Sequence, residues 1–125
     1  MPILGLILGT SNRINQSPTK GWAVGHMHDG IARSSEVEIK MWDYSKPFDY
    51  GKKSFSGTEF ICISGGSLRL ELEHAGEIQT VILKARTLDY VVIPPGVVKR
   101  VIVHEAPAYG VTVRWPSFNA VNKVL

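Results

Sequence analysis

The sequence predicts an all-β fold, a sandwich or barrel of short strands, and three observations carry that reading. Residues 36–42, EVEIKMW, alternate strictly, which puts Val37, Ile39 and Met41 on one face and Glu36, Glu38, Lys40 and Trp42 on the other. Turn signals recur at intervals of roughly 8 to 12 residues, the spacing of a meandering sheet. No segment carries the period of about 3.6 residues that marks an amphipathic helix.

Taken in order, the elements begin with PILGLILG at 2–9. Its apolar part is too short for a membrane helix and has no basic residue ahead of it, as a signal peptide would, so it reads as an edge strand in an N-terminal extension over 1–20. After EVEIKMW comes TEFICIS, apolar on both faces and running into Gly65-Gly66, which reads as a strand buried on both sides before a tight turn. SLRLELE alternates Leu68, Leu70 and Leu72 with polar residues. With EIQTVILK it makes a hairpin closed at His74-Ala75-Gly76. DYVVI, a Pro94-Pro95-Gly96 break, VVKRVIV and YGVTVRW follow, the last closed by Pro116. Proline has no ladder donor and belongs at strand ends, and glycine supplies the freedom for a sharp reversal, so the chain turns at 94–96.

Length and composition bound the rest. A chain of 125 residues reads as one domain over 1–125 with a core of its own. Hydrophobic residues at 44% and charged residues at 20% are those of a globular protein, and no apolar run is long enough to cross a membrane. The net charge of +3 is mild and the basic residues are scattered, which gives no footprint for nucleic acid. Cys62 is the only cysteine, so there is no internal disulfide; within FICI it reads as a small buried hydrophobe, and a reducing cytoplasm is the expected location. Serine-elbow, P-loop and C-x-x-C motifs are all absent, which removes support for those chemistries.

The order strand, Gly-Gly, amphipathic hairpin, LDYVVIPPGVVK and two further strands resembles the cupin superfamily, small jelly-roll barrels, over about 37–115. The second cupin motif reads G, five residues, P-x-G, two residues, H, three residues, N. Pro94 and Gly96 stand at its P-x-G. The first motif reads H-x-H, three or four residues, E, six residues, G, and Glu59 and Gly66 stand at its E-to-G spacing. The ending GVTVRWPS also resembles that of small, functionally undefined bacterial cupins. The resemblance implies a cupin-type jelly roll whose metal ligands are largely replaced. The histidine pair of the first motif falls at Lys52 and Ser54 or at Lys53 and Phe55, the second-motif histidine is Lys99, and its asparagine is Val103. Glu59 alone survives, and one carboxylate among lysines cannot supply the converging donors a divalent transition metal needs, so no metal and no other cofactor is expected at that position.

Lys99 in a ligand position would bring positive charge into the barrel mouth and pair with Glu59. Alternation then places Val101 and Val103 on the same inner face, with Arg100, Ile102 and His104 outside. The plain alternatives are a solvated Lys99 lying along apolar surface and a strand glutamate facing water. Arg114, Trp42 and Tyr90 complete the candidate ligand-binding set; Trp22 and Trp115 are further aromatic candidates, and aromatic strand residues equally serve as core. His26 and His28 in GHMHDG, spaced i, i+2, form an alternative metal site with Asp29, Glu36 or Glu38, or else a solvated loop pair; His74 and His104 read as surface residues. Three functional classes follow. The favoured one is a metal-free module binding a small, anionic organic molecule in the barrel. The others are a metal-independent sugar or small-molecule isomerase or epimerase using Glu59 and Lys99, and a ligand-free structural or interaction protein. The apolar start, as an unpaired edge, predicts a homodimer through sheet edges.

Overall fold

The structure, a computed structural model, describes residues 5–117 and the backbone of Val121–Val124. Eight strands are present among the described residues: β1 Trp22–Val24, β2 Glu38–Tyr44, β3 Asp49–Phe55, β4 Thr58–His74, β5 Glu77–Lys84, β6 Tyr90–Ile93, β7 Val98–Trp115 and β8 Val121–Val124. All the pairings are antiparallel. β4 and β7 run beside each other along their whole length, from Thr58↔Trp115 to Glu73↔Val98. Together they form a bent ribbon that serves two layers. The first halves of β4 and last half of β7 carry β6 on one side and β2 and β1 on the other, while the remaining halves carry β5 and then β3 and β8. The fold is therefore an all-β jelly roll.

The bend corrects the expected turn at Gly65-Gly66. The strand does not reverse there but continues, with its register shifting between Ile63 and Leu68. Gly66 has φ +69, and a Cβ on it would stand 2.2 Å from the Glu105 carbonyl oxygen, so the two chains cross too closely for any side chain. VVKRVIV and YGVTVRW are likewise one strand, β7, whose register against β4 shifts between Glu105 and Tyr109. The hairpin is as read, with His74↔Glu77 leaving a two-residue turn, and Ala75 and Gly76 have the positive φ values (52 and 80) such turns require. The Pro-Pro-Gly break also turns the chain, and the Gly96 amide donates to the Phe55 carbonyl at 2.9 Å.

The N-terminal edge strand does not form within the described residues; Met1 to Leu4 lie outside them. Residues 6–10 are irregular, and Ser11–Asn15 form a short helix, α1. Thr10 caps it by accepting from the Arg13 amide at 3.2 Å, and Asn15 donates to the Ser11 carbonyl at 2.7 Å and to the Met41 carbonyl of β2 at 2.9 Å. The local reason is the Thr-Ser-Asn run, whose side chains satisfy free helix-end amides and compete with an extended ladder, and Gly5 at φ +79, which interrupts extension.

The core lies between the two layers and contains Ile61, Ile63, Leu68, Leu70, Leu83, Ile93, Val103, Ala108 and Trp42. TEFICIS is thus buried on one face only. Glu59, Ile61 and Ile63 point inward, while Phe60 and Cys62 are half-buried on the other side, so Cys62 is a free, partly covered thiol rather than a core residue. EVEIKMW turns the opposite way from its apolar appearance. Glu38, at 2% exposure, and Trp42, at 3%, are buried on the inner face, and Met41 helps line a groove beneath the N-terminal segment.

Candidate functional site

At one end of the barrel, four strands bring charged side chains to a common point. Glu59 of β4 lies opposite Arg114 of β7, and Arg114 lies opposite Glu38 of β2; Lys99, at the start of β7, reaches in from the other layer, where it pairs with Lys53 of β3. Glu59 is 2% exposed and accepts one hydrogen bond from Lys99 Nζ on Oε1 and one from Arg114 Nε on Oε2. Burial pushes the Glu59 carboxyl up, but the charges and hydrogen bonds of Lys99 and Arg114 more than offset this and hold it below its ordinary value. The Arg114 guanidinium is clamped between the rings of Trp22, 4.9 Å from its centroid, and Phe55, at 5.1 Å. Glu38 Oε1 lies 3.9 Å from Arg114, and burial raises the Glu38 pKa against the opposing charges of Arg114 and His26.

The ion cluster borders a cavity of about 80 Å³. Lys40, Lys53, Lys99 and Arg114 face it, Trp42, Tyr44 and Tyr50 form an aromatic wall, and Ile61, Leu68, Val101 and Thr112 complete the lining. The rings stack in sequence, Trp42 on Tyr44 at 5.4 Å and Tyr44 against Tyr50 at 4.7 Å. On the far side of Glu59 a smaller recess of about 10 Å³ is closed by Phe55, Ile93, Pro94 and Val97, so the Pro-Pro-Gly turn sits at the mouth of the barrel. Val101 and Val103 share the inner face with Lys99. Arg100 points outward, where its Nε lies 3.1 Å from both oxygens of Asp49 and its hydrogen bonds hold that carboxyl at about 2.

Glu59, Lys99, Arg114 and Trp42 are therefore gathered at one place. Tyr90 is not, and its reading as a cavity residue is corrected. It is 65% exposed on the outer face of β6 and stacks on Phe60 at 5.6 Å, because it pairs with Cys62, whose side chain also points out. Trp22 reaches the site only through Arg114 and Lys40, and Trp115 is exposed. His26 and His28 do not converge. His26 Nδ1 lies 2.8 Å from Ser117 Oγ and 3.3 Å from Glu38 Oε2, whereas His28 Nε2 lies 2.7 Å from the Trp22 carbonyl. Among the described residues no three His, Cys, Asp or Glu side chains are grouped as a metal would need.

Lys40, Tyr44 and Tyr50 were missed from sequence, and Lys53 was read only as one alternative position of a replaced motif histidine. The signal for Lys40 was present: it alternates with Trp42, and a tryptophan in an otherwise polar row marks the buried side. Lys40 has no hydrogen-bonding or carboxylate partner among the described residues; its Nζ lies 5.8 Å from the Trp22 ring centroid. Burial first, then the Arg114, Lys53 and Lys99 charges, lower its ammonium to about 8. A cation held in this way destabilises the fold while it is charged. Lys40→Met is expected to raise the unfolding free energy at pH 7 by about 1–3 kcal/mol. Since the folded pKa lies below the ordinary 10.5, wild type gains stability between about 8 and 10.5, and the gap to the variant closes over that window. Chemical denaturation of both proteins at pH 7 and pH 10 checks this; a less stable variant at pH 7 would contradict it.

The double-layered barrel with its bent β4–β7 ribbon is the cupin-type jelly roll. Structural relatives share it at low sequence identity. Oxalate decarboxylase from Bacillus subtilis superposes with a TM-score of 0.63 at 14% identity over 73% of this chain. Oxalate oxidase in complex with the substrate analogue glycolate gives 0.61 at 16% over 71%, and the coconut allergen cocosin 0.63 at 12% over 72%. This chain spans 24% of the decarboxylase and of cocosin and 46% of the oxidase. No protein-family model matches the sequence. No curated protein matches it either.

Proposed function

We propose that the chain is a cupin-like protein that binds a small organic anion in the barrel cavity without a transition metal. The observation that carries this reading is the charge imbalance at the cavity. Four cationic side chains face it, against two carboxylates in the cluster: Glu59, already saturated by Lys99 and Arg114, and Glu38, 3.9 Å from Arg114. An anion in the space before Lys40 and Lys53 would neutralise the excess at low dielectric. The volume of about 80 Å³ is several-fold below that of pockets for drug-sized ligands, typically about 300–1,000 Å³, which favours a molecule of a few non-hydrogen atoms over a sugar nucleotide.

The donor set does not fit the metal that the Mn(II)-containing oxalate decarboxylase relative would suggest. Glu59 has both oxygens engaged by cations, and the side chains around it are ammonium and guanidinium groups, which repel a divalent ion. An isomerase or epimerase reading would need Glu59 as a base, and a carboxylate held ionised by two cations is a weak one.

Thermal melts with a panel of short carboxylates and their neutral amides test the proposal. Carboxylates should raise the melting temperature and amides should not, and Lys53→Met should weaken carboxylate binding about ten-fold, the loss of one charged hydrogen bond. Lys53 is the better probe than Lys99, because Lys99→Met also removes a partner of Glu59. Equal shifts by acids and amides, or equal shifts in both proteins, would overturn it.

The same protein is proposed to pair with a second copy in the cytoplasm. Leu6, Ile7, Leu8 and Ile31 are exposed beside the open edge strand β1, over a groove of about 710 Å³ lined by Ile14, Ala23, Val24 and Met41. No described helix is long and apolar enough to cross a membrane. Sedimentation should give a dimer that Leu8→Glu dissociates; a wild-type monomer at tens of micromolar would contradict the pairing.

A further inference from the structure

We propose that Lys40 condenses with the carbonyl carbon of a small 2-oxo acid or aldehyde acid held in the barrel cavity, forming a reversible imine. The proposal rests on the anion reading above, which supplies partners for the carboxylate end of such a molecule. It adds a covalent step at one named atom.

The placement comes first. Lys40 lies on the inner face of β2 next to Trp42 in the alternation and opposite Thr112 of β7, both of which line the cavity. Its stem is confined: Cε lies 3.2 Å from where a Cβ on Gly21 would stand, and Nζ sits over the Trp22 ring. Lys99 and Arg114 are occupied by Glu59, so they can orient an anion but have no free lone pair to offer. Lys40 has no acceptor competing for its nitrogen among the described residues. The aromatic wall of Trp42, Tyr44 and Tyr50 bounds the same cavity.

The chemistry follows from that setting. An amine is a nucleophile only when neutral, and desolvation with adjacent cations is the general means of making a lysine so. With its pKa lowered to about 8, roughly half of Lys40 carries a lone pair at pH 8, against well under about 1% for a lysine at its usual value near 10.4. The neutral Nζ attacks the carbonyl carbon, a C–N bond forms, and the carbonyl electron pair moves to oxygen. The two amine protons pass to that oxygen, which departs as water, leaving C=N. No oxidant or reductant takes part. Lys53 and Lys99 line the same cavity and offer cations for the carboxylate, and the volume of about 80 Å³ limits the remainder to a few carbons.

Reductive trapping tests the idea on the intact chain. Wild-type protein is incubated with pyruvate and sodium cyanoborohydride, and the adduct is located by peptide mass mapping. One adduct per chain is expected, on Lys40, with a yield that saturates in pyruvate, rises from pH 6 to pH 8 and falls at least ten-fold when propionate is present in excess. Lys40→Arg should lose the adduct. Comparable labelling of the exposed lysines Lys20, Lys46 and Lys84, or an undiminished adduct in Lys40→Arg, would overturn the proposal. If propionate stabilises the protein but pyruvate is not trapped on Lys40, the imine falls and the anion site stands. If propionate has no effect and Lys40 is unlabelled, both fall.

Discussion

Glu59→Leu is expected to lower the unfolding free energy by about 3–5 kcal/mol, because it strands Lys99 and leaves Arg114 with Glu38 alone, 3.9 Å away. The side chains of Lys99 and Arg114 are only 13% and 14% exposed, so neither can recover full hydration when its partner is gone. Leucine keeps most of the volume, which separates the electrostatic loss from a packing loss. Adding Lys99→Met to Glu59→Leu removes one stranded cation and should recover part of the deficit, leaving Arg114 within 3.9 Å of Glu38 and between its two rings. Urea melts of the three proteins give the comparison. A Glu59→Leu protein within about 1 kcal/mol of wild type would mean that the cluster is solvated like a surface pair, whose typical worth is about 0–1 kcal/mol.

The same cluster sets an acid limit. Glu59 has its folded pKa below the ordinary 4.5, so the folded state binds fewer protons than the unfolded state between the two values, and stability rises with pH there. The Glu59 contribution is complete above about pH 4.5 and drains away as pH falls through the depressed folded value. The gap between wild type and Glu59→Gln should therefore be constant from pH 5 to 7 and narrow below 4.5.

What could be read from the sequence was the period and the turn chemistry; what could not was the cross-strand register. Glu59 and Lys99 were legible as a pair because each stands at a motif position of the cupin resemblance, Glu59 at the E-to-G spacing before Gly66 and Lys99 at the histidine position after Pro94 and Gly96. Lys53 was legible only as one of two alternative first-motif histidine positions. Its meeting with Lys99 depends on the β3–β7 pairing, and DYGKKSF has a glycine and no apolar alternation to mark it as a strand. The period of EVEIKMW was plain, yet its buried side was not, since the apolar row Val37, Ile39 and Met41 looks like the core face. In a barrel whose interior holds a polar site, the inner row carries Glu38, Lys40 and Trp42, while Met41 of the outer row meets the N-terminal extension. Gly65-Gly66 misled for a related reason. Glycine permits both a turn and a close crossing of two strands, and only the partner chain at Glu105 decides between them.

Leu68→Ala is expected to cost about 2–5 kcal/mol and to change what the cavity accepts. Leu68 is 1% exposed, packs in the main core cluster and also lines the cavity, opposite Val103 on the β4–β7 ribbon. Leu83, at 2% exposure, is in the same cluster but does not line the cavity, so Leu83→Ala is the matched control. Both variants lose the same methyl groups and should fall by similar amounts in a urea melt, the difference between them reporting how far each site collapses. Only Leu68→Ala opens space next to Trp42 and Val101. It should therefore bind carboxylates two or three carbons longer than wild type prefers, and a ligand filling the new space should restore stability as its concentration rises above its Kd. Leu83→Ala should keep the wild-type size preference. If the two variants shift their ligand preference alike, general softening of the barrel is responsible. If Leu68→Ala is destabilised but keeps the wild-type preference, the anion binds somewhere other than the space between Leu68, Trp42 and Lys40.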